Sequence, residues 1–138
     1  KSTNLKGANL RGTYLLHGAN LTGADLSDAD LTKANLSKAE LGGVKLIKAN
    51  LYKAKLSEAN LSGADLSEAD LSKTKLNKAK LSKVNLQNAC LRGTDLKGAD
   101  DLTIEQLSEV NTLYKSKIDA ELVEQIKEKH PHLLEKPK

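Results

Sequence analysis

Leucine recurs at every fifth position of this chain. From Leu16 to Leu96 the run is unbroken, 17 leucines in succession. Leu5, Leu10 and Leu15 keep the same spacing one residue out of phase, so one extra residue sits where Leu15 meets Leu16. The flanking positions are ordered too. Two residues before each leucine, from position 19 to 94, stand 12 Ala together with Val44, Thr74, Val84 and Thr94, and Ala99 continues the column. Two residues after it fall eight of the nine glycines: Gly7, Gly12, Gly18, Gly23, Gly43, Gly63, Gly93 and Gly98. The remaining positions are filled mainly by Ser, Lys, Asp, Asn and Glu.

A straight helix or strand does not fit this period. A helix turns about 100° per residue, so leucines five apart spiral around its axis instead of forming a stripe. Five is odd, so in a strand successive leucines point to opposite faces. A backbone that turns once per repeat does fit. If the chain bends at each glycine-favoured position, every leucine faces a common interior with a small residue beside it. No single repeat buries its leucine alone, so the coils must stack into a solenoid. Each buried leucine contributes roughly 1.5–3 kcal/mol. The expected core is Leu21, Leu26, Leu31, Leu36, Leu41, Leu46, Leu51, Leu56, Leu61, Leu66, Leu71, Leu76, Leu81, Leu86, Leu91 and Leu96.

Units such as GANL, GADL and TKANL make the chain resemble the pentapeptide repeat family, whose pattern is A-[D/N]-L-x-x. The resemblance runs over residues 3–100. It implies a mainly β fold: a right-handed, four-sided β-helix with four pentapeptides per coil, hence about five coils here. At about 4.8 Å per coil the rod would be roughly 24 Å long. The residue before the leucine departs from the pattern at Tyr14, Glu40, Lys45, Lys55, Lys75, Lys80 and Cys90. That column is expected to face solvent and to tolerate them.

The period stops after Asp100 and helical signals follow. Thr103 with Gln106 has capping-box spacing, and Ile104, Leu107, Val110 and Tyr114 recur as on a helix. Asp119 is a second N-cap, with a stop before Pro131. Residues 1–100 are thus expected to form the β-helix and residues 101–138 a C-terminal α-helical cap. The cap would lie over Leu86, Leu91 and Leu96, where an open coil end invites aggregation. Dimerisation or partner docking is the alternative use of this tail, leaving monomer or homodimer open.

Composition narrows the function. Only 2% of residues are aromatic, and Phe, Trp and Met are absent, so base-stacking chemistry is nearly missing and nucleic acid is not expected as a partner. Cys90 stands alone, which excludes an internal disulfide and fits a reducing, cytoplasmic setting. No apolar run reaches the roughly 18 residues of a membrane span. The chain starts at Lys1 inside the pattern, so a fragment of a longer protein is expected, with activity elsewhere in that protein as one reading of its role.

No catalytic, cofactor or metal site is expected. His17 sits on an outward position, and His130 with His132 are too few ligands for a metal. The carboxylates Asp25, Asp28, Asp30, Glu58, Asp65, Glu68 and Asp70 read as solvated surface, because a leucine-filled rod has no cleft to shift their protonation.

The twenty-residue coil implied by the resemblance stacks Lys33, Lys53 and Lys73 in one column. Lys55 and Lys75 form a second column, and Lys38 and Lys78 bracket Glu58 in a third. These lysines are the candidate stripe for an anionic partner. Some family relatives bind DNA gyrase as acidic duplex mimics. Residues 1–100 carry 16 basic against 10 acidic side chains, a poor copy of a polyanion. The reading preferred from sequence is therefore a non-enzymatic structural or protein-interaction module, with a gyrase-directed DNA mimic as the alternative.

Overall fold

The computed structural model describes residues 2–14 and 16–138. Lys1 and Leu15 lie outside the described residues, and with them part of the phase break.

The repeat is built from turns. Each leucine carbonyl accepts the N–H three residues on, as in Ala24 N–H to Leu21 O at 2.9 Å and Ala49 N–H to Leu46 O at 3.0 Å. The third residue of each such turn has a positive φ, from 56° at Lys73 to 71° at Gly63 among the uninterrupted repeats. Positive φ at that position is what type II geometry demands. Glycine occupies it in some repeats, but lysine does so in many others, including Lys33, Lys53, Lys73 and Lys78. A non-glycine residue there costs about 1–2 kcal/mol. The ladder of hydrogen bonds holds the turns in place against that cost.

Between turns the residue before each leucine pairs with its equivalent twenty residues on, in parallel register, as in Lys55↔Lys75 and Asp70↔Cys90. Twenty residues and four turns therefore make one coil. The first pairs, Asn4↔Asp25 and Asn9↔Asp30, are 21 apart, and Asn20↔Glu40 is 20 apart. The extra residue thus falls between Asn9 and Asn20. The β structure consists of isolated single-residue bridges and not of extended strands, because each bridge is cut off by a turn within two residues.

Leu26 through Leu96 at five-residue steps are all 0–3% exposed, and Ala24 through Ala89 in the small column are equally buried. Thr74 and Thr94 replace alanine without orphaning a hydroxyl. Their Oγ1 atoms donate to the Leu51 and Leu71 carbonyls at 2.7 and 2.6 Å. Leu21 differs from the rest of the expected core: with Leu5, Leu10 and Leu16 it is only half-buried, because nothing described lies beneath the first coil.

The ladder does not stop where the sequence period does. Helix α1, Ile104–Ser108, is five residues long and carries a full Thr103–Gln106 capping box. It ends well before Tyr114, which corrects the helical reading of that stretch. Cys90↔Thr112 and Asp95↔Lys117 continue the parallel bridges at a 22-residue offset. The physical reason is unmet hydrogen bonding: Leu91 N–H and Leu96 N–H need acceptors and find them in Thr112 O and Lys117 O, at 3.2 and 2.8 Å. A sixth, partial coil therefore covers Leu91 and Leu96, where helices were expected. The Gln106 Nε2 donates to the Leu81 and Val84 carbonyls, fixing α1 against the coil end.

Helix α2, Ala120–Lys129, follows, then a 3-10 turn, Pro131–Leu134. Asp119 occupies the N-cap position of α2 as expected, but its side chain makes no capping hydrogen bond; its carboxylate accepts the Gly98 N–H at 3.2 Å instead. Leu133 is buried and its carbonyl accepts the Leu113 N–H at 2.8 Å, which ties the tail down onto the partial coil.

Candidate interaction surface

The four turns of each coil stack into four edges. The second edge carries Thr32–Lys33, Tyr52–Lys53, Ser72–Lys73, Arg92–Gly93 and Tyr114–Lys115, and the third carries Ser37–Lys38, Ser57–Glu58, Asn77–Lys78 and Lys97–Gly98. The face between them holds the bridged column Asn35, Lys55, Lys75, Asp95 and Lys117.

This side is strongly basic. Arg11, Lys33, Lys38, Lys53, Lys55, Lys73, Lys75, Lys78, Arg92, Lys97, Lys115 and Lys117 lie on it, against Glu58, Asp95 and Asp119. The other sides of coils and α1 carry Lys6, Lys45, Lys48, Lys80 and Lys83 against eleven carboxylates. The rod is therefore polar across its width, about +9 on one side and −6 on the rest at neutral pH, counting Lys and Arg against Asp and Glu.

The cations on the basic side are poorly neutralised. Among the described residues only two ion pairs form, Arg11–Asp30 at 3.1 Å and Lys127–Glu124 at 3.8 Å. Lys55 and Lys75 are direct bridge partners, so two ammonium groups rise from adjacent coils about 4.8 Å apart. Like charges placed so are destabilising. Tyrosine gives partial relief. Lys53 and Lys73 Nζ lie 5.4 and 5.9 Å from the Tyr52 ring centre, and Arg92 and Lys115 lie 5.3 and 5.5 Å from that of Tyr114. Gly93 and Gly98 leave room for the stems of the coil below. A methyl group at either would meet Lys73 or Lys78 Cγ at 3.3 Å, besides straining a positive φ.

The sequence motif has a counterpart in known proteins. The model of the family described as pentapeptide repeats matches residues 1–32, 15–46, 24–63, 45–82 and 59–98, well over half of the chain. The chain belongs to the pentapeptide repeat family. Solved structures agree. A pentapeptide repeat protein from the thylakoid lumen of Arabidopsis thaliana is 25% identical, with a TM-score of 0.56 over 84% of this chain and 75% of that one. One from the cyanobacterium Cyanothece 51142 is 31% identical, with a TM-score of 0.50 over 84% of this chain and 60% of that one. QnrB1, a plasmid-mediated fluoroquinolone resistance protein, is 25% identical in a trypsin-treated form, with a TM-score of 0.56 over 93% of this chain and 64% of that one. No curated protein sequence matches. This pentapeptide repeat chain winds as a right-handed β-helix, as the solved structures of the family imply. The relatives do not place it in the cytoplasm, since one of them belongs to the thylakoid lumen.

The pentapeptide column before the leucine does more than face solvent. Twelve of its Asn and Asp side chains, such as Asn50, Asn60, Asp70 and Asn85, accept the N–H of the residue two positions on through Oδ1, at 2.9–3.2 Å. This is an Asx turn that braces each corner. Lys45, Lys55, Lys75 and Lys80 cannot accept in this way. On the basic face Lys55 and Lys75 therefore came at the expense of two such braces, and Lys45 and Lys80 cost two more on the other sides.

Two of these carboxylates are shifted. The Ser27 backbone N–H, then its hydroxyl, holds Asp25 below the usual carboxylate range. The Thr32 hydroxyl, then its N–H, does the same for Asp30, with Arg11 adding to it. A lowered pKa in the fold means stability that is fully present above the unfolded value, near 3.9, and lost as pH falls through the folded one. Thermal melts should therefore show stability declining below about pH 4. Replacing both residues with Asn, which keeps the Oδ1 acceptor, should flatten that decline while leaving the melt at pH 7 little changed. An unchanged acid decline would show that other groups control it.

The remaining candidates stay apart. Cys90 is half-buried, with its Sγ 3.2 Å from Ser72 Oγ. His130 and His132 meet edge to face at 6.3 Å, and His17 is exposed on the first coil. Among the described residues, no three His, Cys, Asp or Glu side chains converge on a metal position, and no helix is long and apolar enough to cross a membrane. An open groove of about 510 Å³ runs between Leu102, α1 and the start of α2, edged by Asp101, Glu105, Asp119 and Glu121.

Sequence reasoning missed Arg11, Arg92, Lys97, Lys115 and Lys117 on the basic side. A signal for the last two was present: Leu113 and Ile118 are five apart, with Lys115 at the turn position and Lys117 at the bridge position.

Proposed function

We propose that this chain is a non-enzymatic interaction module, a rigid coil that presents its basic side to an anionic partner, with residues 101–138 closing its C-terminal end. One observation carries the reading. The twenty-residue register stacks Lys33, Lys38, Lys53, Lys55, Lys73, Lys75 and Lys78 on one side, and none of the seven has a carboxylate within ion-pair distance in the described structure. A fold that tolerates such repulsion gains when an anion neutralises it. The interior supports a non-catalytic role, because leucine and alanine fill it and leave no enclosed site for a substrate among the described residues.

Immobilised poly-glutamate tests the reading. The chain should bind at low salt and elute as ionic strength rises. Lys53→Gln/Lys55→Gln/Lys73→Gln/Lys75→Gln should elute far earlier, and equal retention would overturn the proposal. The gyrase-directed DNA mimic implied by the family resemblance is the second reading. Acidic residues on the opposite sides are interrupted by Lys45, Lys48, Lys80 and Lys83, which disfavours mimicry of a duplex. Gyrase supercoiling should be unaffected at low micromolar chain; inhibition or rescue there would replace the reading.

A further inference from the structure

We propose that the anionic partner is a lipid bilayer carrying acidic headgroups, met flat by the face bounded by the second and third edges and centred on Lys53, Lys55, Lys73 and Lys75. This rests on the reading above and adds the class of partner. Shape decides it. Coils in a twenty-residue register set equivalent residues in line about 4.8 Å apart, so the cations of this face form parallel rows and not one protruding cluster. A planar surface meets such rows with all their cations at once. A nucleic-acid duplex is a convex cylinder and would touch such a face only along a line. A protein pocket accepts a protruding side chain, whereas these charges are spread over five coils.

The spacing points the same way. Within a coil Lys53 and Lys55 stand two residues apart, and the next coil repeats them as Lys73 and Lys75 about 4.8 Å above. A rigid grid of that kind matches no fixed phosphate spacing. Headgroups diffuse laterally and can gather beneath it. All four lysines are exposed on flexible stems, which suits contact with headgroups. Clusters of four to eight basic side chains are also what acidic lipid surfaces attract. Tyr52 sits at the margin of the grid, half-buried beneath Lys53 and Lys73, and tyrosine rings are suited to the headgroup level. The net negative charge of the other sides turns them away from the membrane and sets a single orientation.

Co-sedimentation with phosphatidylcholine vesicles, with and without phosphatidylserine, tests this. The intact chain should bind only the phosphatidylserine vesicles and be released by salt. Lys53→Gln/Lys55→Gln/Lys73→Gln/Lys75→Gln should lose about a hundredfold in affinity or more. Lys45→Gln/Lys48→Gln/Lys80→Gln/Lys83→Gln removes the same charge from other sides and should lose less than about tenfold. Both variants are compared at equal far-UV dichroism, so that misfolding is not read as lost binding. Absent vesicle binding, equal losses in the two variants, or tighter binding to duplex DNA than to the vesicles would each overturn the bilayer. If vesicles fail while poly-glutamate retention persists, only this inference falls; if both fail, the proposed function falls with it.

Discussion

Leu61→Lys should abolish cooperative unfolding. Leu61 is fully buried in the middle coil, in one column with Leu41 below and Leu81 above. The side chains around it are leucine and alanine, so an ammonium there would find no partner. Burying an unpaired charge costs far more than losing a leucine contact. Leu61→Ala, by comparison, should cost about 2–5 kcal/mol. The lysine change exceeds that and reaches the whole stability of an ordinary domain, about 5–15 kcal/mol. Neutralising the lysine does not rescue the fold, because the long stem still has to fit a column packed at close contact.

The consequence spreads because a solenoid is coupled only through nearest neighbours. A break at the third coil separates two stacks, each too short to bury its own leucines. A thermal melt followed by circular dichroism should show a shallow slope and no sigmoid, with rapid proteolysis at low temperature. A sharp transition like that of the unmodified chain would mean that the leucine column does not hold the coil together.

Much of the fold could be read from the sequence because its period excludes a straight helix and a straight strand. Leucine every fifth residue, alanine two before it and a turn residue two after it leave few backbones to choose from. The column before the leucine was harder. Asn and Asp read as ordinary polar surface there, and their bracing of the turn depends on the local backbone direction. The preference of these residues for turns was the available signal.

The end of the coil was misread for a different reason. Asp101 and α1 shift the register from 20 to 22 residues, which hides Leu113 and Ile118 from a strict count of five. The capping box at Thr103 was read correctly, but propensity could not say that the helix would stop at Ser108. Tertiary demand decided that, since the fifth coil's N–H groups needed the backbone of residues 112–117. The same shift concealed Lys115 and Lys117, so the basic side extends further along the rod than Lys33 through Lys78 suggested.

Removal of residues 101–138 should turn a discrete particle into soluble aggregates. The deletion takes away the acceptors of the Asn88, Leu91, Gly93 and Leu96 N–H groups, namely Glu109, Thr112, Tyr114 and Lys117 carbonyls. It also takes the Asn111 and Lys117 N–H groups that donate to Ala89 O and Thr94 O. Four parallel edges are then left open above a layer of leucines. An unpaired edge is a template for another chain, and the half-buried Leu5, Leu10, Leu16 and Leu21 at the opposite end offer a compatible surface. That contact is head to tail and does not close on itself. Size-exclusion chromatography with light scattering should show a broad, high-mass distribution for the truncated chain. Deleting only 119–138 keeps the partial coil and its ladder, so it should weaken the particle without opening the edges. A monodisperse monomer after the longer deletion would mean that the tail serves a partner and that the coil end needs no cover.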